Sequence, residues 1–243
     1  MAMNIVINNL FGGPDDDYAP EPADYTIEEK RRYARDMFLM KAREQCFSDS
    51  ILWKWNFENC DDVQDQLMVS MKKYCENFDE MCSDGCGLVL YGPVGVGKTY
   101  AAACIANELI EHERSVHMTD FSRIINTLFG LNEGKQKYLD RLNEYDLLII
   151  DDLASQRNTS YANEIVMNVI DSRCKSGKPL IVTTNLSADD LLKPQGITEQ
   201  RIYSRLCQMC IPVRCSASKD RRKEKMKQNI AKYRETLMLG NMR

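Results

Sequence analysis

The sequence predicts an α/β fold, a parallel sheet with helices on both faces, and three observations carry that prediction. From residue 87 onward short apolar runs alternate with helix-length amphipathic segments, the order that lays parallel strands between covering helices. A glycine-rich turn over residues 92–97 separates the first of these runs from the first of these helices. A later run, Leu147-Leu148-Ile149-Ile150, ends on two adjacent carboxylates, Asp151 and Asp152, at the strand edge where open α/β sheets bind ligands.

Taken in order, residues 1–25 hold Gly12-Gly13-Pro14, three aspartates at 15–17 and two further prolines. With so little to bury they read as a flexible acidic arm. Thr26 followed by Glu29 is a capping-box pattern, and Ile27, Ala34, Met37 and Phe38 then recur at helical spacing to about Gln45. Residues 52–57 alternate apolar and polar, as an extended segment does, so 26–60 reads as a short helical appendage with a linker and a candidate partner-binding region. The core is expected over 61–216. Asp61-Asp62 can cap its first helix, which carries Leu67, Met71, Tyr74, Cys75 and Phe78 on one face. Strands are expected at 87–91, 115–118, 146–150, 180–184 and 211–214. Helices are expected at 98–112, 121–128 and 161–174, where Ile165, Val169 and Ile170 mark the buried side, and from 198. Residues 217–243 read as a basic C-terminal helix with Met226, Ile230, Tyr233 and Leu237 along one side.

Composition narrows the function classes. A chain of 243 residues can bury one full α/β core with appendages to spare. The apolar fraction of 44% and the charged fraction of 28% are ordinary for a folded domain. The net charge of −4 is uneven: residues 219–243 hold nine basic and three acidic side chains, a balance of +6, which leaves −10 on the remainder. As a whole the chain does not attract nucleic acid. Its tail either meets a phosphate backbone or is a solvated charged helix. Ten cysteines without a regular framework fit reduced thiols. The close pairs Cys82/Cys86 and Cys207/Cys210 have neither His112 nor His117 nearby in sequence, which argues against zinc. With no basic-then-apolar leader and no run of membrane-spanning length, a cytoplasmic protein without membrane contact is expected.

The chemistry concentrates in four places. Gly92-Pro93-Val94-Gly95-Val96-Gly97-Lys98-Thr99 satisfies the P-loop pattern between strand and helix. Its glycines let backbone N–H groups converge on phosphate oxygens, Lys98 reaches the β/γ-phosphates and Thr99 offers a hydroxyl to Mg2+. Tyr100, next in sequence, is counted with the nucleotide-binding residues. Asp151 suits the magnesium-site aspartate of a second nucleotide motif. Asp152 falls where a general base polarises water, or caps a helix at the strand exit. Asn185 follows the strand at 180–184 and either orients water beside the γ-phosphate or simply turns the chain. Arg201 and Arg205 lie four apart on one helix, presenting two guanidinium groups to an anion or to surface carboxylates. ATP and Mg2+ are the cofactors these motifs imply.

Together, the P-loop run, Leu148-Ile149-Ile150-Asp151-Asp152-Leu153, Ile181-Val182-Thr183-Thr184-Asn185-Leu186 and Arg201-Ile202-Tyr203-Ser204-Arg205 resemble the DnaC/DnaI-type replicative helicase loaders of the AAA+ class, an IstB-like ATP-binding superfamily. The resemblance covers roughly residues 43–214. It implies a P-loop NTPase fold, with Lys98 and Thr99 holding ATP and magnesium, Asp151 and Asp152 forming the second motif and Asn185 acting as first sensor. Arg205 would be the arginine finger and Arg201 its neighbour at a subunit boundary. Residues 155–161 would line the path of single-stranded DNA, with Tyr161 stacking on bases. Asp152 stands where many AAA+ proteins carry glutamate, so slow or partner-dependent hydrolysis is expected. Only about thirty residues follow the last expected strand, too few for the helical lid of typical AAA+ proteins, a shortage that this subfamily shares.

The function expected is that of an ATP-dependent loader which binds a ring helicase and single-stranded DNA and self-assembles into an ATP-bridged oligomer. A transposition helper ATPase of the IstB type shares the core motifs and is the alternative. A P-loop small-molecule kinase fits less well, because the paired aspartates, Asn185 and the two arginines belong to ring ATPases.

Overall fold

The structure, a computed structural model, describes residues 26–60, 66–153, 159–194, 196–216, 221–234 and 236. The acidic arm at 1–25, the Asp61-Asp62 cap, residues 155–158 of the expected DNA path, Lys219 and Leu237 lie outside the described residues.

Five parallel strands form one sheet: β1 (Gly87–Tyr91), β2 (Val116–Asp120), β3 (Leu147–Leu153), β4 (Leu180–Thr184) and β5 (Cys210–Arg214), in the order β2-β3-β4-β1-β5. The central strands β1, β3 and β4 begin as unbroken apolar runs because both of their faces are covered, whereas the edge strands β2 and β5 carry polar or exposed residues. In β3, Leu147 and Ile149 enter one core while Leu148 and Ile150 enter the other. The described helices are α1 (Ile27–Cys46), α2 (Gln66–Glu76), α3 (Phe78–Ser83), α4 (Lys98–Glu111), α5 (Phe121–Gly130), α6 (Lys135–Leu142), α7 (Ser160–Ser176), α8 (Ala188–Leu192), α9 (Ile197–Met209) and α10 (Arg221–Tyr233). Residues of α1, α2, α3 and α4 build the first core, and those of α5, α6, α7 and α9 the second. Ala101, Ala102, Ala103 and Ala106 of α4 are fully buried, and side chains that small let the helix behind the phosphate loop lie close to the sheet.

Thr26 caps α1 with Glu29 in the reciprocal box its sequence suggests. The helix packs on the core: Arg43 donates to Asn107 Oδ1 (3.2 Å) and pairs with Glu111, and Phe47 bridges Met118 at the edge of β2. The segment expected to be extended at 52–57 instead begins as a 3-10 turn, Ser50–Lys54. Asp49 accepts the Ile51 N–H at 3.2 Å, and Asn107 Nδ2 donates to the carbonyls of Leu52 (2.8 Å) and Trp55 (2.9 Å). Side-chain hydrogen bonds of this kind compete with extended backbone, and the apolar positions pack inward against the first core.

At the N-terminal ends of β3 and β4 lies a fully buried Arg173. Its guanidinium donates to the carbonyls of Leu142 (3.3 Å), Tyr145 (3.0 Å), Asp146 (3.0 Å) and Pro179 (2.8 and 3.1 Å). Burial lowers its pKa to about 10, so it stays charged at neutral pH. It ties the end of α6 to the turns entering β3 and β4.

Candidate functional site

The strand order sets β1 beside β4 and β4 beside β3, so the C-terminal ends of these three strands bring distant motifs together. β1 delivers the loop at 92–97, β3 delivers Asp151 and Asp152, and β4 delivers Asn185. Gly92 adopts φ 143°, and a Cβ there would sit 2.2 Å from the Cys215 carbonyl oxygen. Cys215 N–H donates to Tyr91 O at 2.7 Å, which holds the chain leaving β5 against this loop. Gly97 caps α4 at φ 96°, a conformation glycine adopts without steric cost. The first helical bond runs from Ala101 N–H to Gly97 O, so the N–H groups of Lys98, Thr99 and Tyr100 have no acceptor within the helix.

Lys98 is 7% exposed, and its ammonium donates to Gly92 O (2.8 Å), Pro93 O (2.8 Å) and Asn185 Oδ1 (2.7 Å). The same asparagine donates through Nδ2 to Asp152 Oδ1 at 3.1 Å. One amide thus links the P-loop cation to the second carboxylate. Thr99 Oγ1 lies 3.0 and 3.1 Å from the Asp151 carboxylate oxygens. Burial pushes the Asp151 pKa up, against hydrogen bonds from Thr183 and then Thr99 that favour the carboxylate. A hydroxyl and a partly desolvated carboxylate side by side are hard oxygen donors of the kind Mg2+ takes, so these residues fit the cation the P-loop implies. Asp152 has φ 61°, a left-handed conformation that aspartate tolerates better than glutamate.

Tyr100 turns toward the N-terminal segment, its ring 5.3 Å from that of Trp55 and its hydroxyl donating to Asn56 O at 3.0 Å. Val94 is exposed and Val96 buried, so Val96 anchors the loop in the core. Arg201 and Arg205 are not brought to the phosphate side: Arg205 pairs with Asp171 of α7 (Nε to Oδ1, 3.1 Å) and donates to Gln208 Oε1 at 3.0 Å. Both arginines line a cavity of about 460 Å³ between α7 and α9 with Asn168 and Gln200. A hydrogen bond from Lys175, followed by the positive charges of Lys175, Arg205 and Arg201, holds Asp171 below its ordinary pKa.

Tyr161, at the start of α7, is 40% exposed and meets the 78% exposed Phe129 of α5 edge to face, with ring centroids 6.4 Å apart. The sequence pattern did not single out Phe129, since it lies near the end of an ordinary amphipathic helix. Thr183 was also missed, because only the pairing of β3 with β4 places it against both aspartates.

This fold and this cluster define a P-loop ATP-binding protein of the AAA+ class. The chain belongs to the family of IstB-like ATP binding proteins, whose family model matches residues 25–228. Among curated relatives it is 27% identical over 169 residues to the replicative helicase loader DnaI of Bacillus subtilis, covering 63% of this chain and 54% of that protein. It is 30% identical over 127 residues to an ATP-binding protein in an insertion sequence of Mycobacterium tuberculosis, covering 50% of each. To the replicative helicase loader DnaC of Escherichia coli K12 it is 27% identical over 159 residues, covering 62% of each. The chain thus spans about half to three-fifths of the length of these relatives. Among solved structures, the crystal structure of DnaI aligns with a TM-score of 0.61 at 22% identity, covering 74% of this chain and 99% of that one. The DnaC helicase loader gives 0.57 at 21%, covering 69% and 100%. AMPPCP-bound DnaA from Aquifex aeolicus gives 0.56 at 18%, covering 74% and 56%. At these identities the structures establish the shared fold. No helix among the described residues is long and apolar enough to cross a membrane.

Proposed function

We propose that this protein is an ATP-dependent loader in the cytoplasm, which binds a replicative ring helicase and single-stranded DNA and uses ATP binding and hydrolysis as its switch. The observation that carries the reading is the division of the ATPase machinery. Lys98 bonds to Asn185 and Asn185 to Asp152, Thr99 bonds to Asp151, and Thr183 joins the two aspartates, whereas Arg205 is engaged elsewhere, with Asp171 and Gln208. A site divided in this way is completed by a second copy of the chain, and its state reports assembly.

Lys98 and the N–H groups of the loop would hold the β- and γ-phosphates, and Thr99 with Asp151 would hold Mg2+, which supplies charge neutralisation on the phosphates. Asp152 accepts a proton from the attacking water, while Asn185 fixes the Asp152 oxygen it already contacts. Arg205 of a neighbouring copy stabilises the charge that develops on the γ-phosphoryl group. Arg201 lines the same boundary. The exposed Tyr161 and Phe129 rings offer stacking faces to unpaired bases, and α10 offers basic residues, Lys223 and Lys227 among them, to the phosphate backbone.

The test is complementation. Arg205→Ala and Lys98→Ala should each bind DNA but hydrolyse ATP poorly, and a mixture should regain turnover, since some interfaces then pair an intact loop with an intact finger. A co-assembled but inactive mixture would sink the trans assignment. The insertion-sequence relative at 30% identity favours a second reading, a transposition helper acting with a transposase on duplex DNA. Pulldown with a replicative ring helicase, with and without ATP, separates the two: ATP-dependent capture supports the loader, and capture by a transposase in its place supports the helper.

A further inference from the structure

The geometry points to Thr183 as the residue that positions both site carboxylates, a role that rests on the reading of Asp151 and Asp152 given above. Ile150 pairs with Val182 and Leu153 with Thr184, so β3 carries two residues, Asp151 and Asp152, where β4 carries one, Thr183. This is a bulge inside a parallel pair, an uncommon setting for a device that bends a strand and re-aims its side chains. In a regular strand, adjacent residues point to opposite faces, and Asp151 and Asp152 could not serve one site. Here Asp152 takes φ 61° and its carboxylate reaches Asn185, while that of Asp151 reaches Thr99.

A left-handed residue in a strand needs something to hold it, and the bulge leaves the Asp152 N–H to find a new partner. Thr183 supplies both needs with one hydroxyl. It accepts the Asp152 N–H at 2.8 Å and donates to Asp151 Oδ1 at 2.5 Å. The residue is 2% exposed, so water cannot readily take its place. The next hydroxyl, of Thr184, is spent on Leu153 O at 2.9 Å and closes the far end of the bulge. The Thr183 hydroxyl is engaged by the two aspartates themselves. It acts through the two aspartates, presenting Asp151 toward the cation position and Asp152 toward the water position.

Valine has the shape of threonine without the hydroxyl, and serine has the hydroxyl without the methyl. Thr183→Val should bind ATP in EDTA within about threefold of wild type, yet lose about 10–100-fold in kcat at saturating metal and ATP, as outer partners of metal ligands do. Mn2+ affinity in the presence of a non-hydrolysable ATP analogue, read by electron paramagnetic resonance, should weaken by about tenfold. Thr183→Ser should restore both. If Thr183→Val fails to fold, Thr183→Ala carries the same expectation. Wild-type kcat and Mn2+ affinity in Thr183→Val, with Asp151→Asn and Asp152→Asn inactive, would overturn the role of Thr183 alone. Equal impairment in the valine and serine variants would overturn it too, by tracing the loss to packing. Retained turnover in Asp151→Asn and Asp152→Asn would instead overturn the reading of the carboxylates, and the positioning role with it.

Discussion

The two ends of the sheet bury charge in opposite ways. At the N-terminal end Arg173 gives all its hydrogen bonds to backbone carbonyls, of Leu142, Tyr145, Asp146 and Pro179. At the C-terminal end side chain bonds to side chain, Lys98 to Asn185, Asn185 to Asp152 and Thr99 to Asp151, with two loop carbonyls added for Lys98. Burying a guanidinium costs several kcal/mol, and charge-assisted bonds of about 1.5–3 kcal/mol each can offset it. Those partners are backbone and have nowhere else to go, so the N-terminal end is a fastening. At the other end the partners are side chains that can exchange one another for phosphate, cation or water. Burial of charge is therefore uninformative by itself, and the identity of the partners separates a fastening from a site.

The largest effect expected is on nucleotide affinity at the C-terminal end. Lys98→Ala should weaken ATP binding by about a hundredfold or more, as loss of a charge-assisted contact does, while thermal unfolding shifts little. Wild-type affinity by titration in the folded variant would break the comparison at that end. At the other end, Arg173→Met should lower stability by about 2–4 kcal/mol, because four carbonyls lose their donor in a buried place, and should leave the ATP affinity of the folded protein unchanged. A stable Arg173→Met variant that cannot bind ATP would place function where a fastening is expected.

A smaller effect separates the ends by pH. Burial raises the Asp151 pKa in the folded state, so its ionised form weighs against folding. The stability it contributes is full below the unfolded carboxylate pKa and is lost as pH rises through the raised folded value. In EDTA, Asp151→Asn should thus have a higher Tm than wild type at pH 7.5, and the difference should vanish as pH falls through the carboxylate range. A constant difference from pH 4 to 8 would mean that charge is not the cause. The smallest effect concerns the positive φ of Asp152: Asp152→Glu should lower stability by about 1 kcal/mol or less, since glutamate is less at ease there. An equal or higher midpoint in urea would remove backbone conformation as the reason a short carboxylate suits this position.

Much of this protein was determined by sequence alone. All five strands lie within a few residues of their expected places, because runs such as Leu147-Leu148-Ile149-Ile150 are apolar enough to demand cover on both faces. The phosphate loop was legible because its glycines and Lys98 lie within one short run, residues 92–98, and what local backbone geometry requires is written locally. Tertiary structure decided the rest. The order β2-β3-β4-β1-β5 placed Asn185 between Lys98 and Asp152, and the one-residue slip between β3 and β4 turned Asp151 and Asp152 toward one site under the hydroxyl of Thr183. It also folded 50–54 into a turn against Asn107 and sent Arg205 to Asp171. Each of these is a contact between residues dozens of positions apart. Strand pairing and side-chain satisfaction across the core select them, and no local pattern in the sequence encodes them.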